Sequence, residues 1–328
     1  MTRRPVPGRR GAAFALLLCS VLLAACGGTV GDPGASAPQA PAAITIDTAR
    51  GPVGLPGPAT RVVSLEWVHT EELLALGVVP VGVADIRGYG EWLQAPDVAI
   101  PPGVRDVGTR NAPSLEQITA LDPDLIIASE DRVGAGYEAL SRIAPVLSFD
   151  YKREPQLENL EQRFRGVGTA VGRTDRAEDV LRALEARTGE LRSRLAAAGR
   201  EGAAYSMAQG YTSQGAPTIR LFTDRSAAAQ ALNAAGLRNT WTGQADAYGL
   251  TIVGVEGLTR ISPQSQFLYV ANPADDPFTG ALAANPLYQG LPFVAENRTT
   301  GLDSGTWQFG GPSSMMFLLD QAGRAFGV

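Results

Sequence analysis

Residues 61–83 read RVVSLEWVHTEELLALGVVPVGV, and their pattern decides the fold of the chain. Val62–Leu65 is a short β-type run. Apolar residues then recur at helical spacing over His69–Leu76 as far as Gly77, a residue at which helices often end. Val78–Val83 returns to β-type residues. The segment therefore predicts a strand, a helix and a second strand in direct succession, the pattern of a parallel α/β sheet.

The same alternation continues further along the chain. Ser114–Leu121 predicts a helix whose Ser-x-x-Gln start resembles a capping box, and Pro123 breaks it. Leu125–Ala128 and Val146–Phe149 are short apolar runs that are typical of buried parallel strands. We therefore expect residues 44–174 to form an N-terminal αβ lobe with helices on both faces of a parallel sheet.

Residues 175–199 have a different pattern, with apolar residues at helical spacing and charged residues on the other face. They predict one helix of roughly 35 Å, long enough to cross a two-lobed protein. The αβ alternation resumes over residues 200–328, with β-type runs and helices at Ala203–Ala208, Ile219–Phe222, Ala227–Ala235, Phe267–Val270 and Ser313–Ala325. The predicted fold class is α/β, with two Rossmann-like αβ lobes bridged by one long helix.

The N-terminus has the features of a secretory signal. Residues 1–10 contain four arginines and no acid, and the apolar stretch Phe14–Ala25 leads directly to Cys26. That stretch is too short to cross a hydrocarbon core of ~30 Å, which takes about 20 helical residues. The sequence Leu-Ala-Ala-Cys resembles a bacterial lipobox. We expect residues 1–25 to be a lipoprotein signal peptide and Cys26 to carry a lipid on the extracytoplasmic face of the cell membrane. The alternative is a signal peptide with an incidental cysteine.

Composition narrows the classes of partner. Residues 26–43 hold almost nothing apolar to bury, which predicts a disordered tether. Removal of residues 1–25 takes away four arginines and no acid, which leaves 24 basic residues against 33 acidic ones and a formal charge of −9. Such a chain lacks the basic surface that drives nonspecific nucleic-acid binding. We expect a monomer without a nucleic-acid partner, and without a disulfide because Cys19 leaves with the signal and Cys26 is acylated.

The sequence offers no set of residues that matches an enzyme. Its one histidine, His69, stands at the start of the helical stretch, and no Gly-x-Ser-x-Gly motif follows. A helix-terminus or surface histidine is therefore expected, not a catalytic one. One histidine and no free thiol also argue against zinc, copper or haem held by the protein. We expect no catalytic residue, no cofactor and no metal ligand; a tethered extracytoplasmic enzyme remains the less favoured alternative.

Aromatic residues and arginines concentrate in loops near predicted strand ends. In open α/β sheets ligands bind outside the carboxyl ends of strands, and pockets are enriched in aromatic side chains. Arginines in comparable loops can hold negatively charged oxygens. The alternative for each tryptophan is a packing role, and for each arginine a solvated surface charge. The candidates are Trp67, Arg87, Trp92, Arg110, Arg132, Trp241, Tyr248, Trp307 and Phe309.

Several segments resemble the siderophore-binding lipoproteins and periplasmic proteins, and among these most of all the ferric-hydroxamate binders. The resemblance covers about residues 60–328. It implies a helical-backbone (class III) solute-binding protein that captures a ferric siderophore, with iron held by the siderophore, and delivers it to an ABC importer. Another large iron chelate of catecholate or carboxylate type, cobalamin or haem remain alternatives on the same fold. The matching segments are residues 61–67, 72–77, 79–85, 106–110, 113–116, 239–243, 285–289, 291–294 and 307–310.

The resemblance also implies roles for particular residues. Arg110 matches the arginine that bonds the iron-ligating oxygens, and the loop aromatics match residues that line the pocket. Glu116 and Glu256 match the acids, one in each lobe, that dock on the ABC importer's permease. Two departures stand out: Arg132 takes the place of a tyrosine donor, and Ala128 takes that of a pocket tryptophan. Both favour a ligand with more anionic character than a neutral hydroxamate, but hydroxamates remain the leading ligand class because the resemblance is nearest to their binders.

Overall fold

The computed structural model describes residues 43–328, without the side chain of Ala135. The predicted signal peptide, Cys26 and nearly all of the predicted tether lie outside the described residues. Within the described part, no helix is both long enough and apolar enough to cross a membrane. The described residues belong to one compact unit.

Strands are distributed along the whole described chain. They are β1 Ile44–Thr48, β2 Gly51–Leu55, β3 Val62–Ser64, β4 Gly82–Val83, β5 Arg105–Asp106, β6 Gly108–Thr109, β7 Ala112–Pro113, β8 Leu125–Ser129, β9 Val146–Phe149, β10 Ala204–Ser213, β11 Ala216–Phe222, β12 Arg238–Asn239, β13 Leu250–Val253, β14 Gln266–Ala271 and β15 Thr299–Gly301.

Helices alternate with these strands, and two 3-10 segments cover Gly134–Gly136 and Val255–Arg260. The α-helices are α1 Trp67–Ala75, α2 Ile86–Trp92, α3 Leu115–Ala120, α4 Glu130–Val133, α5 Tyr137–Ser141, α6 Gln156–Ala170, α7 Thr174–Ala197, α8 Ala227–Ala234, α9 Pro286–Gln289, α10 Pro292–Ala295 and α11 Pro312–Ala325.

The first large sheet is parallel throughout, in the order β5-β4-β3-β8-β9. Strands β3, β8 and β9 are buried along their whole length, which confirms the buried parallel strands predicted from their apolar runs. The predicted strand over residues 78–83 is shorter than expected, because only Gly82–Val83 pairs in the sheet. Pro80 has no amide hydrogen to donate to a ladder, and Val79 before it is exposed.

The second large sheet is mixed, in the order β13-β11-β10-β14-β15, with β12 beside β10. Strand β10 pairs in parallel with β14 and antiparallel with β11. The turn between β10 and β11 consists of Gln214 and Gly215, whose φ angles of 51° and 78° suit a two-residue hairpin. The strands predicted from the β-type runs are confirmed, while the sequence pattern did not show the hairpin.

Helix α7 joins the two halves, as the spacing predicts. Its 24 residues span about 36 Å. Val180 and Leu181 in its first half pack into the core that contains the parallel sheet, whereas Leu191 and Leu195 in its second half pack into the core around β10. One amphipathic helix thus contributes to both hydrophobic cores.

Helix α6, which was not predicted from the sequence, also contacts both halves. It packs against α7, and Gly168 permits this approach, since a Cβ there would lie 2.7 Å from the Cβ of Ala177. At its other end the Leu157 amide donates to Gln230 Oε1 of α8 at 2.8 Å. Its many polar residues and its two interior glycines, Gly166 and Gly168, weaken a helix signal in the sequence. Helix α6 therefore packs across both halves beside the bridging helix α7.

A buried ionic cluster in α1 surrounds His69. That histidine lies in the first turn of α1, as the helix-terminus alternative predicts, but it is fully buried and not at the surface, and its Nδ1 lies 2.9 Å from Glu72 Oε2. The other oxygen of Glu72 accepts from Arg163 Nε of α6 at 2.8 Å. Although burial disfavours the charge, Arg163 and His69 together lower the pKa of Glu72. The cluster therefore holds a paired charge inside the protein and ties α1 to α6.

The preceding residue, Glu71, is buried as well and binds the N-terminus of α11. Its Oε2 accepts from the Gly311 amide at 2.9 Å, and its Oε1 accepts from the Ser314 amide at 2.7 Å. The Ser314 hydroxyl donates to the same carboxyl group. Burial raises the pKa of Glu71 to about 7, although these hydrogen bonds act in the opposite direction. Glu71 thus satisfies amide groups that the start of a helix leaves unpaired.

We predict that Glu71→Gln gains stability relative to the wild type as the pH rises from about 5 to about 8. The pKa of Glu71 is about 7 in the folded protein, against an ordinary value of 4.5 in the unfolded chain. Between these values the folded state keeps a proton that the unfolded state has released, so the wild type loses stability with rising pH. The loss is on the order of 3 kcal/mol, at about 1.4 kcal/mol per pKa unit.

Chemical denaturation across this pH range measures the effect. The slope of the unfolding free energy against pH is decisive, because the loss of one acceptor oxygen in the glutamine variant lowers stability equally at every pH. Glu130→Gln is the matched control: although burial acts to raise the pKa of Glu130, Arg50 and Ser148 lower it overall. This group therefore titrates below the tested pH range, and its variant should keep a pH profile parallel to that of the wild type. Parallel pH profiles for Glu71→Gln and the wild type would contradict the prediction.

Candidate functional site

A cavity of about 360 Å³ lies between the two halves of the described chain. It is located beyond the carboxyl ends of the parallel strands, where ligands bind in open α/β sheets. The β3–α1 junction, the β6–β7 turn and α4 form one wall, and β11, β13 and the loop before α11 form the other. Its lining residues are Glu66, Val68, Arg110, Arg132, Tyr151, Arg220, Asp246, Tyr248, Leu250, Ile252, Trp307 and Phe309.

The first wall is organised around Glu66, the N-cap residue of α1. Its Oε1 accepts from Arg110 Nη1 at 2.7 Å, and its Oε2 accepts from Arg132 Nε. Arg132 also donates to Asn111 Oδ1. Although burial lowers the pKa of Arg132, Glu66 raises it above its usual value. The carboxylate therefore holds two guanidinium groups from different elements side by side at the edge of the cavity.

Trp67 lies beneath Arg110. The guanidinium carbon of Arg110 is 3.4 Å from the centre of the indole ring, a cation–π contact, and the indole Nε1 donates to the Asp85 carbonyl at 3.2 Å. The Asp85 carboxylate lies 3.7 Å from Arg110 Nε. Trp67 is only 3% exposed. It thus supports the arginine from below and does not itself line the cavity.

Trp307 and Phe309 form the apolar part of the cavity. Their ring centres are 5.1 Å apart, and Trp307 also packs at 5.1 Å against Trp67 and at 6.1 Å against Trp92. Phe309 continues the row to Phe222 of β11 at 5.5 Å. The structure therefore brings four of the predicted site residues into one aromatic row, of which Trp307 and Phe309 line the cavity.

Tyr248 connects the two walls. Its hydroxyl donates to Asp131 Oδ2 at 2.8 Å, and its ring lies 6.0 Å from that of Tyr151. Lys152 Nζ lies 3.6 Å from the same carboxylate. Burial, followed by the hydrogen bond to Asp131, raises the pKa of Tyr248, and burial raises that of Tyr151. Both tyrosines thus remain neutral hydroxyl groups at ordinary pH.

Three predicted residues lie elsewhere. Trp241 is 2% exposed in the core of the second half, and its Nε1 donates to Thr251 Oγ1 at 3.0 Å, which corrects the expectation that it lines the pocket. Ala128 is 1% exposed within β8 and packs with core residues. Arg87 is 89% exposed on α2, as the surface alternative predicts.

Sequence reasoning missed four polar residues of the cavity. Glu66 stands directly before a tryptophan at a strand end, a signal that could have singled it out. Tyr151 is the second residue after strand β9, and it lies at the same carboxyl edge of the sheet. Arg220 and Asp246 belong to β11 and the loop before β13. Both residues face the cavity only once β10 and β11 pair as a hairpin, which was not predicted, so no local pattern in the sequence marks them.

The two predicted docking acids are exposed in different halves. Glu116 lies in the first turn of α3, whose N-cap Ser114 accepts from the Gln117 amide at 3.3 Å. Glu256 lies in the first turn of the 3-10 segment Val255–Arg260. Neither belongs to the cavity lining. Both carboxylates are therefore accessible to another molecule.

Comparisons with known proteins identify the family. The model of the periplasmic binding protein family matches residues 62–306. The iron(3+)-hydroxamate-binding protein FhuD of Escherichia coli is 29% identical over 268 residues, which cover 81% of this chain and 87% of that protein. The Fe(3+) dicitrate-binding periplasmic protein FecB of Escherichia coli is 31% identical over 265 residues, which cover 81% of this chain and 84% of that one.

A solved structure gives the same result. The crystal structure of the siderophore-binding protein FhuD from Vibrio cholerae, bound to Fe3+-Desferal, superposes with a TM-score of 0.72 at 26% identity. The match covers 81% of this chain and 97% of that chain. The predicted fold class is confirmed, as is the prediction that the chain is not an enzyme. The chain belongs to the periplasmic binding protein family, whose members bind substrates and do not transform them.

Proposed function

We propose that the protein binds a ferric siderophore in the cavity between its two halves and delivers it to an ABC importer. The paired guanidinium groups of Arg110 and Arg132 beside the aromatic residues Trp307 and Phe309 carry the proposal. Cationic donors suit the oxygens that surround an iron already held by a chelator, and aromatic faces suit its organic frame. Relatives that bind a ferric hydroxamate and ferric dicitrate support this class of ligand.

Hydroxamate siderophores are the leading ligand class in this proposal. Three arginines and two acids line the cavity, which gives it a formal excess of only one positive charge. Three hydroxamate groups balance the charge of Fe3+, so such a chelate has little net charge at its iron centre. Ferric dicitrate is the second candidate, because a relative of comparable identity binds it and because Arg132 does line the cavity.

The site of action follows from the expected N-terminal processing. We propose that Cys26 carries a lipid that holds the mature protein on the extracytoplasmic face of the cell membrane, while the folded part acts as a monomer. Several relatives are described as lipoproteins or periplasmic proteins, which supports this location.

Ligand binding is tested by quenching of tryptophan fluorescence with Fe3+-Desferal, ferric dicitrate, cobalamin and haem. We expect one of the two ferric chelates to quench, because Trp307 lines the cavity. Arg110→Ala should weaken binding of that chelate by about 10- to 100-fold, the value of one buried charge-assisted hydrogen bond. Arg87→Ala, at an exposed arginine outside the cavity, is the matched control. Quenching by cobalamin or haem alone would refute the siderophore proposal.

Delivery is tested with Glu116→Arg combined with Glu256→Arg. Charge pairs across an interface steer association and fix its orientation, so we expect uptake of iron chelate into cells to be lost. The affinity for the chelate in solution should be unchanged, because neither acid lines the cavity. Glu138→Arg with Glu201→Arg, two exposed acids in the same two halves, controls for the change in charge. Normal uptake by the first double variant would show that these acids do not dock.

The anchor is tested by Cys26→Ser. We expect this variant to leave the membrane fraction, because without the thiol no lipid can be attached. Fractionation and the mass of the mature N-terminus measure the change, and Cys19→Ser within the expected signal peptide is the control. A Cys26→Ser protein that stays in the membrane fraction would contradict lipid anchoring at this residue.

A further inference from the structure

Glu66 is the one acid that contacts both arginines on the first wall of the described cavity. Its side chain is only 5% exposed, whereas those of Arg110 and Arg132 are 20% and 24% exposed. The carboxylate also accepts from the backbone amide of Trp67 at 2.9 Å, which fixes it at the start of α1. Solvent therefore screens these two contacts little, and the carboxylate cannot turn away without leaving three donors unpaired.

The carboxylate decides the charge that a ligand meets. With Glu66 ionised, the cavity lining has an excess of one positive charge; with Glu66 neutral, three arginines would face only Asp246. Asp85, which lies 3.7 Å from Arg110, acts in the same direction as Glu66 from outside the lining. The two arginines keep further N–H groups for a ligand, because five donors belong to each guanidinium and Glu66 occupies only one on each.

We propose that Glu66 sets the selectivity of the cavity for ligand charge: it keeps the Arg110–Arg132 pair as hydrogen-bond donors to a weakly charged chelate and disfavours multiply anionic chelates. This inference rests on the proposed function. If Glu66 only positioned the two arginines, its replacement would weaken the binding of every ligand alike. If its charge matters, its replacement changes the ratio between the dissociation constants of ligands that differ in charge.

The test compares Fe3+-Desferal with the more anionic ferric dicitrate by fluorescence titration of Glu66→Gln and the wild type. Glutamine keeps the size and an acceptor oxygen but removes the charge. We expect the ratio of the two dissociation constants to shift about tenfold in favour of ferric dicitrate, as for one charge at a partly screened distance. Arg132→Gln removes a positive charge instead and should shift the same ratio in the opposite direction.

Glu130→Gln is the matched control, since this acid also pairs with an arginine, Arg50, but does not line the cavity. The ratio of the two dissociation constants for this variant should equal that of the wild type. An unchanged ratio in Glu66→Gln, with both chelates weakened equally or not at all, would overturn the inference. Thermal unfolding of each variant without ligand separates a folding defect from a change in binding.

A second readout does not depend on siderophore binding. Iron-free citrate should raise the unfolding temperature of Glu66→Gln but not that of the wild type, because the arginine pair then lacks its counter-charge. If no ferric chelate binds the wild type, the proposed function fails while the citrate experiment still decides the role of Glu66. Equal responses of the variant and the wild type to citrate would overturn the inference about Glu66.

Discussion

Two adjacent buried acids in α1, Glu71 and Glu72, provide the contacts on which the arrangement of the two halves depends. Consecutive residues of a helix point about 100° apart, so their carboxylates reach different partners. Glu72 meets Arg163 of α6, and Glu71 meets the N-terminus of α11. A buried charge such as that of Glu72 costs several kcal/mol when it loses its partner, and loss of Glu71 leaves buried amide groups of α11 unpaired. Loss of either contact therefore destabilises the protein. The helix is therefore held in one orientation between α6 and α11.

The geometry of the cavity follows from this orientation. Helix α1 begins with Glu66 at one wall, and less than two turns later Glu71 binds the Gly311 amide. Gly311 follows the loop that carries Trp307 and Phe309, so the aromatic part of the cavity is positioned by the same helix as the arginine pair. The Thr70 hydroxyl donates to Ser64 Oγ of β3 at 2.8 Å, which also ties the helix to the parallel sheet. One short helix thus relates the charged and the aromatic parts of the site.

The sequence predicts those parts of this arrangement that local patterns determine. Apolar runs and helical spacing predicted β3, α1, β8 and α7. Burial on both faces of a sheet produces a continuous apolar run, and burial along one face of a helix produces apolar residues at regular spacing. Helix α6 has apolar residues at helical spacing too, but its glycines and polar residues such as Arg163, which is buried through a partner distant in sequence, weaken the signal. The place of His69 at the start of a helix was predicted, but its burial was not: a buried histidine needs Glu72 beside it, and pattern alone does not show whether an acid points inward. Trp241 resembled a pocket residue because its loop composition does not reveal the core that covers it.

The charge of the site could not be predicted from composition either. The whole chain has a formal charge of −5, yet its cavity has an excess of positive charge. Arg132 alone suggested a site for anions, and the contact that alters this conclusion is the one with Glu66, 66 residues earlier in the chain. A charged side chain acts on a ligand through the charge that its neighbours leave uncompensated, which is a property of the folded arrangement. The sequence therefore identifies the arginines as candidates, and only the geometry shows that an acid on the same wall offsets half of the charge of the pair.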